Sequence, residues 1–153
     1  MKLAEALIRR ADCQKRFEQL KARLIVNAKV QEGDAPAETP ADLLAELGRV
    51  ANELLEFIKR INKTNSVTVF SAGGETLSDV LAERDVLALQ RAAYVEMAQA
   101  ASITQGRYTR SEVKYVATVN VAELQKRADE LAKNYRELDA RIQELNWQTE
   151  LVE

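Results

Sequence analysis

Leu124, Ala128, Leu131, Tyr135, Leu138, Ile142, Leu145 and Thr149 follow one another at alternating intervals of four and three residues, without a break. That rhythm puts them on one stripe of an α-helix, the stripe by which a coiled coil packs on its partner. A strand turns alternate residues to opposite faces and cannot present such a row, so this part of the chain must be a helix with at least one neighbour. Two further stretches carry the same rhythm. Leu3, Ala6, Arg10, Cys13, Phe17, Leu20, Leu24 and Asn27 form a stripe interrupted by two polar residues, and Leu44, Leu47, Ala51, Leu54, Ile58 and Ile61 form an uninterrupted one. A wider stripe runs from Leu77 through Val80, Leu81, Leu87, Ala88, Val95 and Ala98 and takes in Arg84 and Arg91.

The helix breakers lie between these stretches. The chain has 153 residues with only five glycines and two prolines, and four of the glycines and both prolines fall in the connections. QEGDAPAETP ends the first helix, and Thr39, Pro40 and Asp42 then read as N-cap, first helical residue and acidic third position of the second. Thr76 with Asp79 and Asn120 with Glu123 repeat that signature before the third and fourth helices. Two connections look strand-like: Val67, Thr68, Val69 and Phe70 before the turn residues SAGG, and Val113, Tyr115 and the VATV run further on. The expected fold is therefore mainly α, one domain over residues 1–153. It is an elongated antiparallel helical bundle or coiled coil of four long helices, with short β-strand or hairpin segments in two connections. Exposed ribbon edges and the wide third stripe both favour association, so a homo-oligomer is expected.

Composition limits the chemistry. The chain has no histidine and one cysteine, which removes Ser-His-Asp triads, Cys-His dyads and His- or multi-Cys zinc sites. No calcium-loop spacing is present, and SAGGE is too short for a phosphate loop, so neither metal nor cofactor is expected and the protein reads as non-enzymatic. Cys13 cannot form an intramolecular disulfide and, on its stripe, reads as a small buried hydrophobe; a cytoplasmic setting follows, since the N-terminal stretch lacks the apolar run of a signal peptide. No transmembrane segment is expected either.

With 22 basic against 24 acidic residues, a wholesale grip on nucleic acid is not expected. The best candidate for recognition is local. Arg107, Tyr108, Arg110, Lys114 and Tyr115 alternate cations with aromatics, an arrangement that stacks bases and neutralises phosphates, or equally packs a ribbon or a subunit contact. Glu32, Asp34, Glu38 and Asp42 form an acidic loop of complementary charge. Arg10, Arg84 and Arg91 interrupt apolar stripes, where a guanidinium needs a carboxylate partner or a bound anion. Trp147 stands off the last seam and should pack against another helix.

Several long strings, MKLAEALIRRADCQKR, NAKVQEGD, TLSDVLAERDVLALQ, RSEVKYVATVNVAELQKRADEL and RELDARIQELNW, give the chain a resemblance to a bacterial septicolysin-like family of small helical proteins. The family name implies a thiol-dependent, membrane-perturbing cytolysin, and the thiol in this chain is Cys13. The residues themselves favour a helical-bundle protein that acts by self-assembly or by binding a protein partner, and the cytolysin is the alternative that the resemblance supplies.

Overall fold

A computed structural model describes residues 1–102 and 114–153. Among the described residues the chain forms four α-helices, α1 (Leu3–Val26), α2 (Pro40–Val67), α3 (Leu77–Ala101) and α4 (Val121–Gln148). The starts follow the capping residues. Thr39 is the N-cap of α2 with Pro40 in the first helical position, although its side chain makes no capping bond and its carbonyl accepts from Asp42 N–H at 3.1 Å. The Asn120 side chain does cap α4, its Oδ1 accepting from Glu123 N–H at 3.2 Å.

The strand segments expected in two connections are not formed. α2 continues through Val67, so the β-branched run is largely absorbed into its last turn and into Thr68, its C-cap. What remains is a tight turn in which Phe70 N–H donates to Glu75 O at 2.7 Å and Leu77 N–H to Thr68 O at 2.8 Å, around one antiparallel bridge between Val69 and Thr76. Gly74 makes the turn possible with φ of 87°, a conformation that residues with a Cβ rarely adopt. Nine residues between helices give the pair room for one bridge and no ladder. In the second connection Lys114 to Asn120 contain no strand, and Val113 lies outside the described residues.

The described chain divides into two compact units, Met1–Leu77 with Glu144–Glu153, and Ser78–Gln143. In the first, α1 and α2 pack as an antiparallel hairpin. The α1 stripe buries as its spacing requires, with Leu3, Ala6, Cys13, Leu20 and Asn27 all covered. The α2 seam is rotated from the expected one: Leu43, Val50, Phe57, Ile61 and Thr64 are buried, whereas Leu44 is exposed. Ion pairs flank the hairpin, Arg16 to Glu46 and Arg23 to Glu38, and Arg23 Nε reaches Glu38 Oε2 at 3.0 Å. Asn27, the polar end of the α1 stripe, donates from Nδ2 to Arg23 O at 2.9 Å and accepts from Glu38 N–H at 3.1 Å, which leaves it buried without an unmet polar group. Glu38 of the acidic loop is thus engaged by a cation of α1.

Residues 149–153 return to this hairpin. Leu3 N–H donates to Thr149 O at 2.9 Å and Leu151 N–H to Met1 O at 2.8 Å, so the first and last residues form a two-bond antiparallel clasp. Glu150 receives the Met1 ammonium at 3.1 Å and Lys2 Nζ at 2.7 Å. One turn from the end of α2, the fully buried Thr64 hydroxyl donates to Arg60 O at 2.7 Å and accepts Val152 N–H at 3.0 Å.

These carboxylates make stability depend on acid. Hydrogen bonds from Arg23 to Glu38, from Arg16 to Glu46 and from Lys2 and the N-terminal ammonium to Glu150 hold all three below the ordinary glutamate value of 4.5. A carboxylate held low in the folded state binds its proton less readily there than in the unfolded chain. Its stabilising contribution is therefore complete above 4.5 and is lost as pH falls through the folded value. The melting temperature is expected to fall between about pH 5 and pH 3 in thermal scans followed by circular dichroism, and the double variant Glu38→Gln/Glu150→Gln to show a shallower fall.

Candidate functional site

The second unit is an antiparallel pairing of α3 and α4. Its register runs from Arg84 opposite Asp139, their Nη1 and Oδ1 2.9 Å apart, to Val95 and Ala98 beside Gln125 and Ala128. On α3 the covered side is the row of Leu77, Val80 and Ala98, with Leu81, Leu87, Tyr94 and Val95 half-buried between them. On α4, Ala128, Leu131 and Ile142 are buried along the uninterrupted stripe.

α3 carries a second apolar row. Ala82, Val86, Leu89, Ala93, Met97 and Ala100 are spaced by three and four residues, which at 100° per residue gathers them on the side opposite the covered row. All six are exposed, with Val86 at 51%, Leu89 at 70% and Met97 at 48%. The wide stripe expected from Leu77 to Ala98 is the covered side alone; the outward row is a separate stripe on the opposite face, without a neighbour within the described chain.

The sequence-derived candidates are not gathered into a site. Arg107, Tyr108 and Arg110 lie outside the described residues; Lys114 and Tyr115 lie in irregular backbone, both exposed, Tyr115 at 85%. Trp147, expected against another helix, is exposed. Cys13 is buried on the α1 seam, where burial and the neighbouring Glu53 carboxylate push its thiol above the ordinary value, the opposite of what a reactive thiolate requires.

The seam arginines separate into distinct environments. Arg84 has ordinary acidic partners, Asp139 at 2.9 Å and Asp85 at 3.1 Å, and Arg10 is half-buried on α1. Arg91 is exposed and borders a groove of about 410 Å³ with Ala88 of α3 and Ala132, Tyr135 and Arg136 of α4. Among the described residues no group of three or more Cys, Asp or Glu side chains is placed to hold a metal ion, and no helix is long and apolar enough to cross a membrane.

The fold is similar to the crystal structure of a functionally unknown conserved protein from Corynebacterium diphtheriae, with 50% sequence identity, a TM-score of 0.92 and coverage of 99% of each chain. No curated protein matches the chain. These findings correct the septicolysin-like resemblance: neither that structure nor the family matched by this sequence carries such a link, and the cytolysin reading falls with it. The family match extends over residues 10–151, almost the whole chain, and the chain therefore belongs to the Family of unknown function (DUF6847).

Proposed function

We propose that the protein works through self-assembly, α3 of one copy packing antiparallel against α3 of a second, as a non-enzymatic interaction module. The observation that carries this is the outward row Ala82, Val86, Leu89, Ala93, Met97 and Ala100. A helix that is apolar on two opposite faces is built to be covered on both. In an antiparallel pair centred between Leu89 and Ala93, each Leu89 packs over the small Ala93 of the other copy, which suits a close helix pair. Charge favours a second copy in antiparallel orientation. Glu83 and Asp85 flank the row near its start and Glu96 flanks its later half. A parallel pair would set each of these three acids beside its own copy, whereas an antiparallel pair centred between Leu89 and Ala93 sets Glu83 beside the uncharged Gln99 and opposes the two helix dipoles.

Disulfide trapping tests both the contact and its direction. In a Cys13→Ala background, Leu89→Cys and Ala93→Cys proteins mixed under mild oxidation are expected to give mainly the mixed crosslinked pair, because these positions face one another across an antiparallel seam. Crosslinks within each variant alone would indicate a parallel seam, and absence of crosslinks would remove the α3 contact.

A further inference from the structure

We infer that the groove between α3 and α4 bounded by Arg91, Tyr135 and Arg136 binds a small oxyanion, the phosphate or carboxylate group of a metabolite-sized molecule. Three observations support the assignment. First, its two guanidinium groups have been left without the carboxylates that helices normally supply. The positions three and four residues from Arg91 are Leu87, Ala88, Tyr94 and Val95, all uncharged. Around Arg136 the same positions hold Ala132, Lys133, Asp139 and Ala140, and the Asp139 carboxylate accepts from Arg84 at 2.9 Å. Second, the wall contains no acid. The other grooves described in the molecule each include carboxylates: Asp12 and Glu46 in one, Asp129 in another, Glu83 and Glu137 in a third. In the first of these the arginines are already paired, Arg16 with Glu46 and Arg23 with Glu38. Third, there is space: two of the lining side chains are the small Ala88 and Ala132, and the groove's volume of about 410 Å³ falls within the usual range for small-molecule sites.

The chemistry follows from the donors. A guanidinium presents a planar fork that matches two oxygens of a phosphate or carboxylate, and charge-assisted bonds of this type are about twice as strong as neutral ones. An anion shared between Arg91 and Arg136 also relieves their mutual repulsion, and the Tyr135 side chain forms part of the wall between them.

The test is a titration of the full-length protein with inorganic phosphate and, separately, citrate, at constant ionic strength set with sodium chloride, following the arginine Nε–Hε NMR signals. Saturable shifts of the Arg91 and Arg136 signals are expected with a dissociation constant below roughly 10 mM for at least one anion. Phosphate alone would mark a phosphorylated ligand, citrate alone a carboxylate ligand, and both an oxyanion site without preference. Arg91→Gln and Arg136→Gln are each expected to weaken binding about tenfold or more, and Lys133→Gln, a neighbouring cation off the groove, to leave it unchanged. Both arginines are exposed, so the variants keep their fold, verified by circular dichroism. Non-saturating shifts, or equal losses in Lys133→Gln and the arginine variants, would overturn the site.

Discussion

Replacing Ile61 by alanine is expected to lower the free energy of unfolding by about 2–5 kcal/mol, the range for removing a large aliphatic side chain from a packed interior. Ile61 is 1% exposed on the α2 seam, so truncation forfeits the transfer of its methyl and methylene groups and leaves a cavity that neighbouring helices close only in part. Ile25→Ala is the matched control: the side chain is 66% exposed at the end of α1, and its removal is expected to change stability by less than about 0.5 kcal/mol. Urea unfolding of the two variants, followed by circular dichroism, measures the difference. Equal losses would mean that the α1–α2 hairpin is not where the first unit stores its stability.

Replacing Leu89 by glutamate is expected to raise the dissociation constant of the assembly by at least about 100-fold, because each copy would bury an unpaired carboxylate at the centre of the contact. The same change should alter the stability of the separated subunit by less than about 0.5 kcal/mol, since Leu89 is 70% exposed within one chain. That contrast distinguishes an interface residue from a core residue: Leu131→Glu, at a position 1% exposed on α4, is expected to unfold the second unit outright. Ile25→Glu serves as the specificity control, an equally exposed aliphatic side chain on another helix whose replacement should leave the assembly intact.

The legible parts of the fold are those set by local periodicity. The stripe of α4 is legible in the sequence because nearly every position on it is apolar and its neighbours are polar, which fixes the rotation of the helix, and that of α1 is legible despite its interruption at Arg10 and Asn27. α2 was ambiguous for a physical reason: Leu43 and Leu44, Val50 and Ala51, and Phe57 and Ile58 are adjacent apolar pairs, so two overlapping heptad registers share Leu47, Leu54 and Ile61. The register that buries Val50 and Phe57 instead of Ala51 and Ile58 is the one adopted. Val67 to Phe70 misled through propensity, which tertiary context overrides when a helix with a buried face can extend by another turn. The clasp between Met1 to Leu3 and Thr149 to Leu151 had no local signal, because its pairing joins opposite ends of the chain. Of the candidate sites, the outward row of α3 was missed: the stripe through Leu77, Val80, Leu87 and Ala98 lies wholly on the covered side, and the apolar spacing of Ala82 to Ala100 gains meaning only once that side is known. The Arg91–Arg136 groove required the α3–α4 register, which also shows that Asp139 belongs to Arg84.

Sedimentation equilibrium of the unmodified protein tests the central claim most directly. The α3 contact predicts a mass of twice 17.2 kDa at roughly tens of micromolar, falling toward 17.2 kDa on dilution and in Leu89→Glu. A single species of 17.2 kDa across the whole concentration range would contradict it.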